Sequence, residues 1–368
     1  MGGRLQIRQA SRVDSKRIVQ LVGHTPQDEG RLKISFERLP DFFHGTRVAT
    51  SKPDVWVTED TSKNRIACVY SMGHRLVYFN GQLRDIRYCN DLRIHEDYRG
   101  GTALARLYRA AKKQLGTMEF LQTTILRDNA KSMDTITSQR AGLPGYYEYG
   151  DYKTKMIYLG FPKISKGSPY TVRRATFSDL SKIQNFFDKE APAKQFYPHY
   201  NFSKIGTRDP YYRDIKLDDY FLAFQGEELV GITGVWDQKK FKQTRLTDYS
   251  RSMRLFRVPI NLLMKMSGGM PLPKEGGIIE YLMMHAVLTK GNDPKIFAAL
   301  LASIYGAFRK TRYKALVGGF AINDPLLKVL DRYRGQEIHS KHFLVCYDGD
   351  PRPEIDQDRL VYLEPSRL

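Results

Sequence analysis

Two stretches of the chain match each other without gaps, "IRQASRVDSKRI" (7–18) and "VRRATFSDLSKI" (172–183). In each, a short alternating run gives way to a Ser/Thr/Asp-rich turn and then to apolar positions at helical spacing. The pattern predicts strand, turn and amphipathic helix, twice. The correspondence continues along the chain. "VWVTEDTSKNRIACVY" and "YFLAFQGEELVGITGVW" both predict strand, polar turn, strand. "NDLRIHEDYRGG" ahead of one helical stretch answers "LMMHAVLTKGND" ahead of another, and "LQTTILRDNAKSMDTI" answers "ALVGGFAINDPLLKVL". This order predicts two copies of one mixed α/β unit, 1–162 and 170–368. A Pro/Gly/Ser-containing linker at 163–169 joins them, and the second copy carries an insertion at 239–277.

A length of 368 residues accommodates two such units, and an apolar fraction of 41% is enough to fill two cores. The three cysteines (Cys68, Cys89, Cys346) form no C-x-x-C and no Cys/His cluster. That usage argues against a disulfide scaffold or a bound metal and suits a reducing cytoplasm. No stretch reaches the ~20 apolar residues of a membrane span. Charge changes the picture more. A net charge of +19 implies an anionic partner, whether nucleic acid, an acidic membrane face or a polyphosphate ligand.

The segment "CNDLRIHEDYRGGTALARLYRAAKKQ" (89–114) is where a phosphate could sit. Residues 89–94 predict a buried strand. Leu104, Leu107, Tyr108, Ala111 and Leu115 share one face of the following helix, whose start near Thr102 makes that residue a candidate N-cap. Gly100 and Gly101 permit close backbone approach, Arg99 supplies a guanidinium, and the helix start offers free N–H groups. The same features describe a solvated turn capped by a threonine.

"DLRIHEDYRGGTALARL" resembles motif A of the GNAT superfamily of acyl-CoA-dependent N-acyltransferases, a strand, then V-x-P-x-Y-R-G-x-G-x-G/A, then a helix. The element order in each half resembles that fold as well. The resemblance implies two tandem GNAT-like domains, each a mixed, largely antiparallel twisted sheet flanked by helices. It implies acetyl-CoA or another acyl-CoA as co-substrate, held by Arg99, Gly100, Gly101, Thr102, Ala103 and Leu104. From Arg99 the sequence runs R-G-G-T-A, one residue shorter than the family pattern. The strand before the loop, from Leu92 to Ile94, would supply the backbone donor to the thioester oxygen. Asn129 fits an Asn that follows the fifth strand, and Gly142–Leu143 a Gly-apolar pair at the end of that motif.

Acyl transfer to an amine needs a proton acceptor for the amine and a proton donor for the departing thiolate. "NDLRI" resembles E-D-L-x-V of small-amine acetyltransferases, with Asn90 where that stretch has Glu, so Asp91 or a water is the candidate base. Asp91 shares a strand face with Arg93, which equally suits a structural ion pair. The tyrosine that serves the family as acid is replaced by Ser138. Tyr146, Tyr147 and Tyr149 follow, and Tyr147 is the candidate taken forward, although alternating aromatics on a strand also suit packing. The segment 31–47 predicts a loop that shapes an acceptor pocket, with Glu37 and Asp41 as candidate carboxylates.

In the second half Asp293 and Pro294 predict a capped helix start with no Arg-Gly-Gly, a poor site for pyrophosphate. That half would serve as an acceptor-binding or structural partner. The insertion 239–277 carries nine Lys/Arg against two acids, with Tyr249, Met253 and Phe256 at helical spacing. It predicts either a helix covering the second core or a surface that meets acidic lipid or nucleic acid. His95 lies beside the loop, and His285 falls in the second copy's corresponding strand. The activity implied is acyl transfer to a small-molecule or peptide amine. A catalytically weak anion-binding module and an aminoacyl-tRNA-dependent transferase are the alternatives.

Overall fold

In the computed structural model, residues 5–25, 27–28, 32–129, 133–135, 143–161, 167–267 and 269–368 are described. The expected Ser138, Gly142 and residues 163–166 of the linker lie outside them. In the first half the strands are β1 (Leu5–Gln9), β2 (Gln27–Asp28), β3 (Leu32–Glu37), β4 (Val55–Asp60), β5 (Arg65–Phe79), β6 (Gln82–Ile94), β7 (Leu121–Leu126) and β8 (Gly145–Tyr158). Helices α1 (Ser15–Gly23), α2 (Phe42–Ala49) and α3 (Ala103–Lys112) pack on them. The second half has β9 (Thr171–Arg174), β10 (Lys194–Gln195), β11 (Tyr197–Pro198), β12 (Tyr220–Gln225), β13 (Glu228–Trp236), β14 (Gln243–Tyr249), β15 (Tyr281–Thr289), β16 (Ala315–Ala321), β17 (Gly335–Cys346) and β18 (Leu360–Val361). Its helices are α4 (Leu180–Glu190), α5 (Arg251–Ser267), α6 (Pro294–Phe308) and α7 (Leu327–Asp331).

The repeated sequence folds into a repeated device. Arg8 donates two hydrogen bonds of 2.7 Å to Asp14, whose carboxylate also accepts the Ser11 amide at 2.9 Å. Arg173 does the same to Asp179, again at 2.7 Å, and Thr176 caps it from its amide and hydroxyl. Each carboxylate thus ties the end of a strand to the start of a helix, satisfying donors that helix geometry leaves unpaired.

One sheet runs through both halves, in the order β1-β4-β5-β6-β7-β17-β8-β16-β15-β13-β12-β9. The order reads alike from either end, because β17 of the second half pairs with β7 while β8 of the first half pairs with β16. Each half therefore completes its sheet with a strand from the other, and β17 and β8 pair along twelve residues of β17. Neighbours on this path are antiparallel except β6–β7 and β15–β16. Apolar clusters fill both faces of the first half. Ile18 and Leu21 of α1 and Phe42 of α2 pack in one cluster with Val69, and Leu107 of α3 in another with Cys68, Met72 and Phe343. The largest core lies around α4 and α6 in the second half.

Two expectations need correction. Of the expected loop 31–47, the described residues 32–47 are mostly helix and strand. They form β3 and α2, and β3 is completed by β14 of the insertion, from Gln243↔Glu37 to Tyr249↔Leu32. Tyr249 ends that strand rather than belonging to a helix, and α5, which begins at Arg251, buries none of its residues and does not cover the second core. A strand whose partner lies some two hundred positions away has no local signature beyond its own short alternation.

Asp14→Asn should lower stability by about 1–2 kcal/mol at neutral pH, and Asp179→Asn likewise, in urea titrations. Arg8 and the Ser11 amide hold the Asp14 carboxyl well below the usual range. A carboxyl whose pKa falls on folding contributes stability above its unfolded pKa and loses it as pH drops toward the folded one. The gap between wild type and Asp14→Asn should therefore narrow below about pH 4; a constant gap down to acid unfolding would contradict this account.

Candidate functional site

The parallel pairs in the middle of the sheet are short. β6 meets β7 at Arg87↔Leu121 and Tyr88↔Gln122, and β15 meets β16 from Tyr281↔Ala315 to Met283↔Val317. Beyond those positions the strands part. Just there, β6 slips register against β5 and β15 against β13, and one residue in each takes left-handed backbone, Asp91 at φ 54° and Ala286 at φ 51°. A bulge of this kind re-aims backbone amides out of the ladder at a cost in local strain.

The two partings are occupied differently. In the second half, Glu364 accepts the Ala286 amide at 2.8 Å and the Tyr362 hydroxyl accepts the Val287 amide at 3.3 Å. Glu364 is fully buried and further held by Tyr200, Tyr362 and Ser366. Met284 fills the gap so closely that a Cβ on Gly318 would lie 2.6 Å from its sulfur. In the first half the equivalent walls are Cys89 and Thr123, bridged by one hydrogen bond of 2.9 Å from the Thr123 hydroxyl to the Cys89 carbonyl. Among the described residues, no side chain bonds the amide of Asp91 or Leu92.

The open parting leads to the loop singled out in the sequence. Leu92, Ile94 and Leu104 pack in the cluster beneath α3. A single turn of 3-10 helix, Glu96–Tyr98, follows β6 and is pinned by the Tyr98 hydroxyl, which donates to Asp60 at 2.7 Å. His95 accepts the Asp97 amide within this turn. Gly100 takes φ 75°, which suits glycine, whereas Gly101 does not, and a Cβ there would meet ordinary contact at 3.4 Å. The turn needs Gly100; nothing in the fold requires Gly101. Arg99 is exposed and lies across the end of β6, its Nε 3.4 Å from the Ile94 carbonyl. Thr102 stands at the N-cap but makes no side-chain cap. The first backbone bond of the helix runs from Arg106 to Thr102, leaving the amides of Ala103 and Leu104 without a partner inside the helix. An open groove of about 640 Å³ continues along α3, lined by Thr102, Arg106, Arg109 and Lys113. The helix ends at Lys112, so Leu115 lies beyond it. Asn129 follows β7, the other wall.

On the opposite face of β6 stands a charged centre that joins distant parts of the chain. Asp91 is buried and accepts a hydrogen bond from Arg38 Nη2 at 3.0 Å. Asn90 Nδ2 lies 3.5 Å from Asp91, and its own buried Oδ1 has no hydrogen-bond partner among the described residues. Arg38 lies on α2 so closely that a Cβ on Gly45 would fall 2.4 Å from its Cδ. Lys242, just before β14, donates to the Leu368 carbonyl at 2.6 Å. Burial first, then Arg38, push the Lys242 ammonium down to about 7, with Arg75 and Arg367 adding to the effect and Asp91 opposing it. Arg93 is also held below its ordinary range, chiefly by burial, with Asp91 opposing. The expected Asp91–Arg93 proximity is present, but Arg38 is the hydrogen-bonded partner. Neither Arg38 nor Lys242 was legible as a candidate, since no local motif marks either.

The other candidates have structural roles or different surroundings. Glu37 pairs with Arg245 at 2.8 Å, and Asp41 caps α2 through the Phe43 amide. Tyr147 lies with Phe79, Phe196 and Ile355 under the Arg352 guanidinium, not in the cluster that holds Leu92 and Ile94. Its neighbour Tyr146 does lie in that cluster, its hydroxyl 2.5 Å from the Tyr108 hydroxyl of α3, and burial raises it far above the usual phenol range. His285 is buried between Tyr220 and Arg367 and held well below its ordinary range by burial. The capped helix start expected at Asp293 is present, with Lys295 N–H donating at 2.7 Å and Pro294 first in the helix.

The chain has the fold of the GCN5-related N-acetyltransferases. It superposes on a GCN5-related glucosamine N-acetyltransferase region of a fungal multi-domain GH3 β-N-acetylglucosaminidase with a TM-score of 0.61 at 12% identity. The match covers 94% of this chain and 38% of that one, so the chain spans well under half of the fungal protein. Two structures of Saccharomyces cerevisiae N-myristoyltransferase with bound myristoyl-CoA match with TM-scores of 0.59 and 0.57, at 9% and 11% identity. They cover 94% and 97% of this chain, and 79% and 89% of theirs. No family profile and no curated protein sequence matches the chain.

Breaking the buried pair should show its dependence on both partners. Arg38→Met alone leaves Asp91 charged and unpaired and should cost about 3–5 kcal/mol in denaturant unfolding. Adding Asp91→Asn to Arg38→Met should recover a large part of that loss; a double variant no more stable than the single one would mean that the carboxylate is not the source of the penalty.

Proposed function

We propose that the chain is an N-acyltransferase that moves an acetyl or longer acyl group from coenzyme A to an amine by direct attack. The observation that carries this reading is the difference between the two bulges. Both re-aim a pair of amides at a parting of parallel strands, yet among the described residues only the second half supplies side chains that accept them. The open pair, at Asp91 and Leu92, suits a carbonyl oxygen that gains negative charge.

The coenzyme's pyrophosphate would lie against residues 99–104, where Arg99 and the amides of Ala103 and Leu104 meet an anion at a helix start. Absence of a side chain at Gly101 then has a reason, room for phosphate oxygens. Arg106, Arg109 and Lys113 would face the nucleotide end, and Asn129 stands on the second wall. On this reading 1–162 carries the coenzyme and 170–368 closes the acceptor side, the two joined at 163–169.

The acceptor would approach from the face of Arg38, Asp91 and Lys242. A predominantly cationic setting favours the neutral form of an incoming amine, which is the nucleophile. Lys242 is suited to take the proton, because an amine held near 7 is in part neutral at working pH. Asp91, with Asn90 beside it, steadies Arg38 and is the alternative base. The amine nitrogen bonds to the thioester carbon, the carbon–sulfur bond breaks, and the thiolate takes a proton. Tyr146 is the better-placed donor for that last step, since it lies on the coenzyme side; Tyr147 would have to act from another cluster. Among the solved neighbours, the yeast enzymes hold myristoyl-CoA and the fungal region is a glucosamine N-acetyltransferase, which supports an acyl-CoA donor.

Calorimetric titration with acetyl-CoA and myristoyl-CoA tests the donor and its chain length. At least one should bind, with Gly101→Glu weakening it by about 100-fold and Arg99→Ala by about tenfold. With an amine acceptor found by screening, the rate should rise with pH through about 7 as Lys242 loses its proton, and Lys242→Met should remove that limb. No binding of either thioester at millimolar concentration, with steeply salt-dependent binding of nucleic acid in its place, would sink the enzyme reading in favour of an anion-binding module.

A further inference from the structure

Helix α5 is mounted with its polar side inward. Asn261 exchanges two hydrogen bonds with the Leu272 backbone, at 2.9 and 2.7 Å, and Arg257 donates to the Pro273 carbonyl. Met253 is its apolar foothold, on the small cluster of Ile34, Leu246 and Tyr249. The outer arc holds Leu255, Phe256, Val258, Leu262, Leu263 and Met266. Leu255 is 75% exposed, Val258 71% and Met266 79%. An amphipathic helix on a protein surface normally turns this face to the core. Here seventeen residues present it to the outside, beside an open apolar trough of about 450 Å³. An apolar patch of this extent marks a surface that another phase or molecule covers.

Charge identifies the occupant. No acidic residue lies between Arg251 and Lys274, while Arg251, Arg254 and Lys265 are exposed along the border of the apolar arc. Arg254 shares its charge with Asp248 and Glu275; the other two have no acidic partner among the described residues. A second copy seated on this face would bring like cations together around the contact. An anionic bilayer gains from both features, since the apolar arc enters the acyl boundary and the cations meet headgroups. No helix among the described residues is long and apolar enough to cross a membrane, so α5 would lie along the surface.

We infer that α5 is a membrane-surface anchor that docks the protein on anionic lipid. The inference does not rest on the proposed acyl transfer, but the placement connects the two. α5 follows β14, β14 pairs with β3, and the far ends of those strands lead to Lys242 and Arg38. Docking would thus fix the acceptor face relative to the bilayer.

Flotation of the full chain with vesicles tests it. Vesicles of equal parts phosphatidylcholine and phosphatidylglycerol should carry the protein at least about tenfold more tightly than phosphatidylcholine alone, and raised salt should weaken the binding. Leu255→Glu with Leu262→Glu should lower binding by about tenfold or more, with thermal unfolding unchanged because neither side chain is packed. Leu262→Trp should add a tryptophan whose emission shifts to the blue on anionic vesicles and not on neutral ones. The inference is overturned if anionic vesicles carry no protein, or if the double glutamate variant floats like wild type. It is equally overturned if the apolar face instead forms a concentration-dependent dimer that those glutamates abolish. Coenzyme binding is measured on the same preparations, so a failed anchor is separable from a failed acyltransferase reading.

Discussion

Two parallel strand pairs part in the middle of one sheet, and the backbone groups stranded there must find partners from outside the ladder. Much else in the structure follows from how that need is met. On the outer edges of the partings, β17 crosses to β7 and β8 crosses to β16, so each half's open edge is closed by the other half. At the bulges the solutions diverge. Glu364 and Tyr362 supply acceptors in the second half, and burying Glu364 costs little because tyrosine and serine hydroxyls and two amides surround it. In the first half no side chain among the described residues takes that part.

Strand exchange also explains why the site draws on both halves. Tyr146 reaches the cluster beneath α3 from β8, a strand held on both sides by second-half strands. Arg38 and Lys242 come together because β3 of one half pairs with β14 of the other. The proposed acceptor face is therefore built from segments that have no other reason to meet. The insertion is part of that wall rather than an appendage to the second core.

What was legible in the sequence follows the range of the interaction involved. The Arg-Ser-Asp device at Arg8, Ser11 and Asp14 and its copy at Arg173, Thr176 and Asp179 act within six residues, so their repetition exposed the duplication. The cap at Asp293 and the turn at Gly100 are equally local. By contrast, β3 announces itself by only six alternating residues, and its partner lies in the insertion. Tyr146 and Tyr147 differ by one position, which on a strand decides the face, and register came from β17 rather than from their own segment. Gly45 fell inside the expected loop and carried no signal of its own, yet the Arg38 stem occupies the space of its missing side chain.

The excess of positive charge changes meaning once some of it is placed. Arg38 and Arg93 gather round Asp91, and Arg38, Arg75 and Arg367 round Lys242, inside the molecule, where a count of residues would have assigned them to a surface. Arg75 and Arg367 are held by backbone carbonyls and aromatic faces, over Tyr88 at 3.5 Å and Tyr211 at 3.6 Å, so they are built in whether or not a ligand is present. A fixed cationic centre repels an ammonium more than the amine it becomes on losing a proton. It therefore weakens the protonated form of an acceptor more than the reactive one, and lowers Lys242 in the same sense. The electrostatics that cost this fold stability are those that the proposed acylation of an amine would draw on.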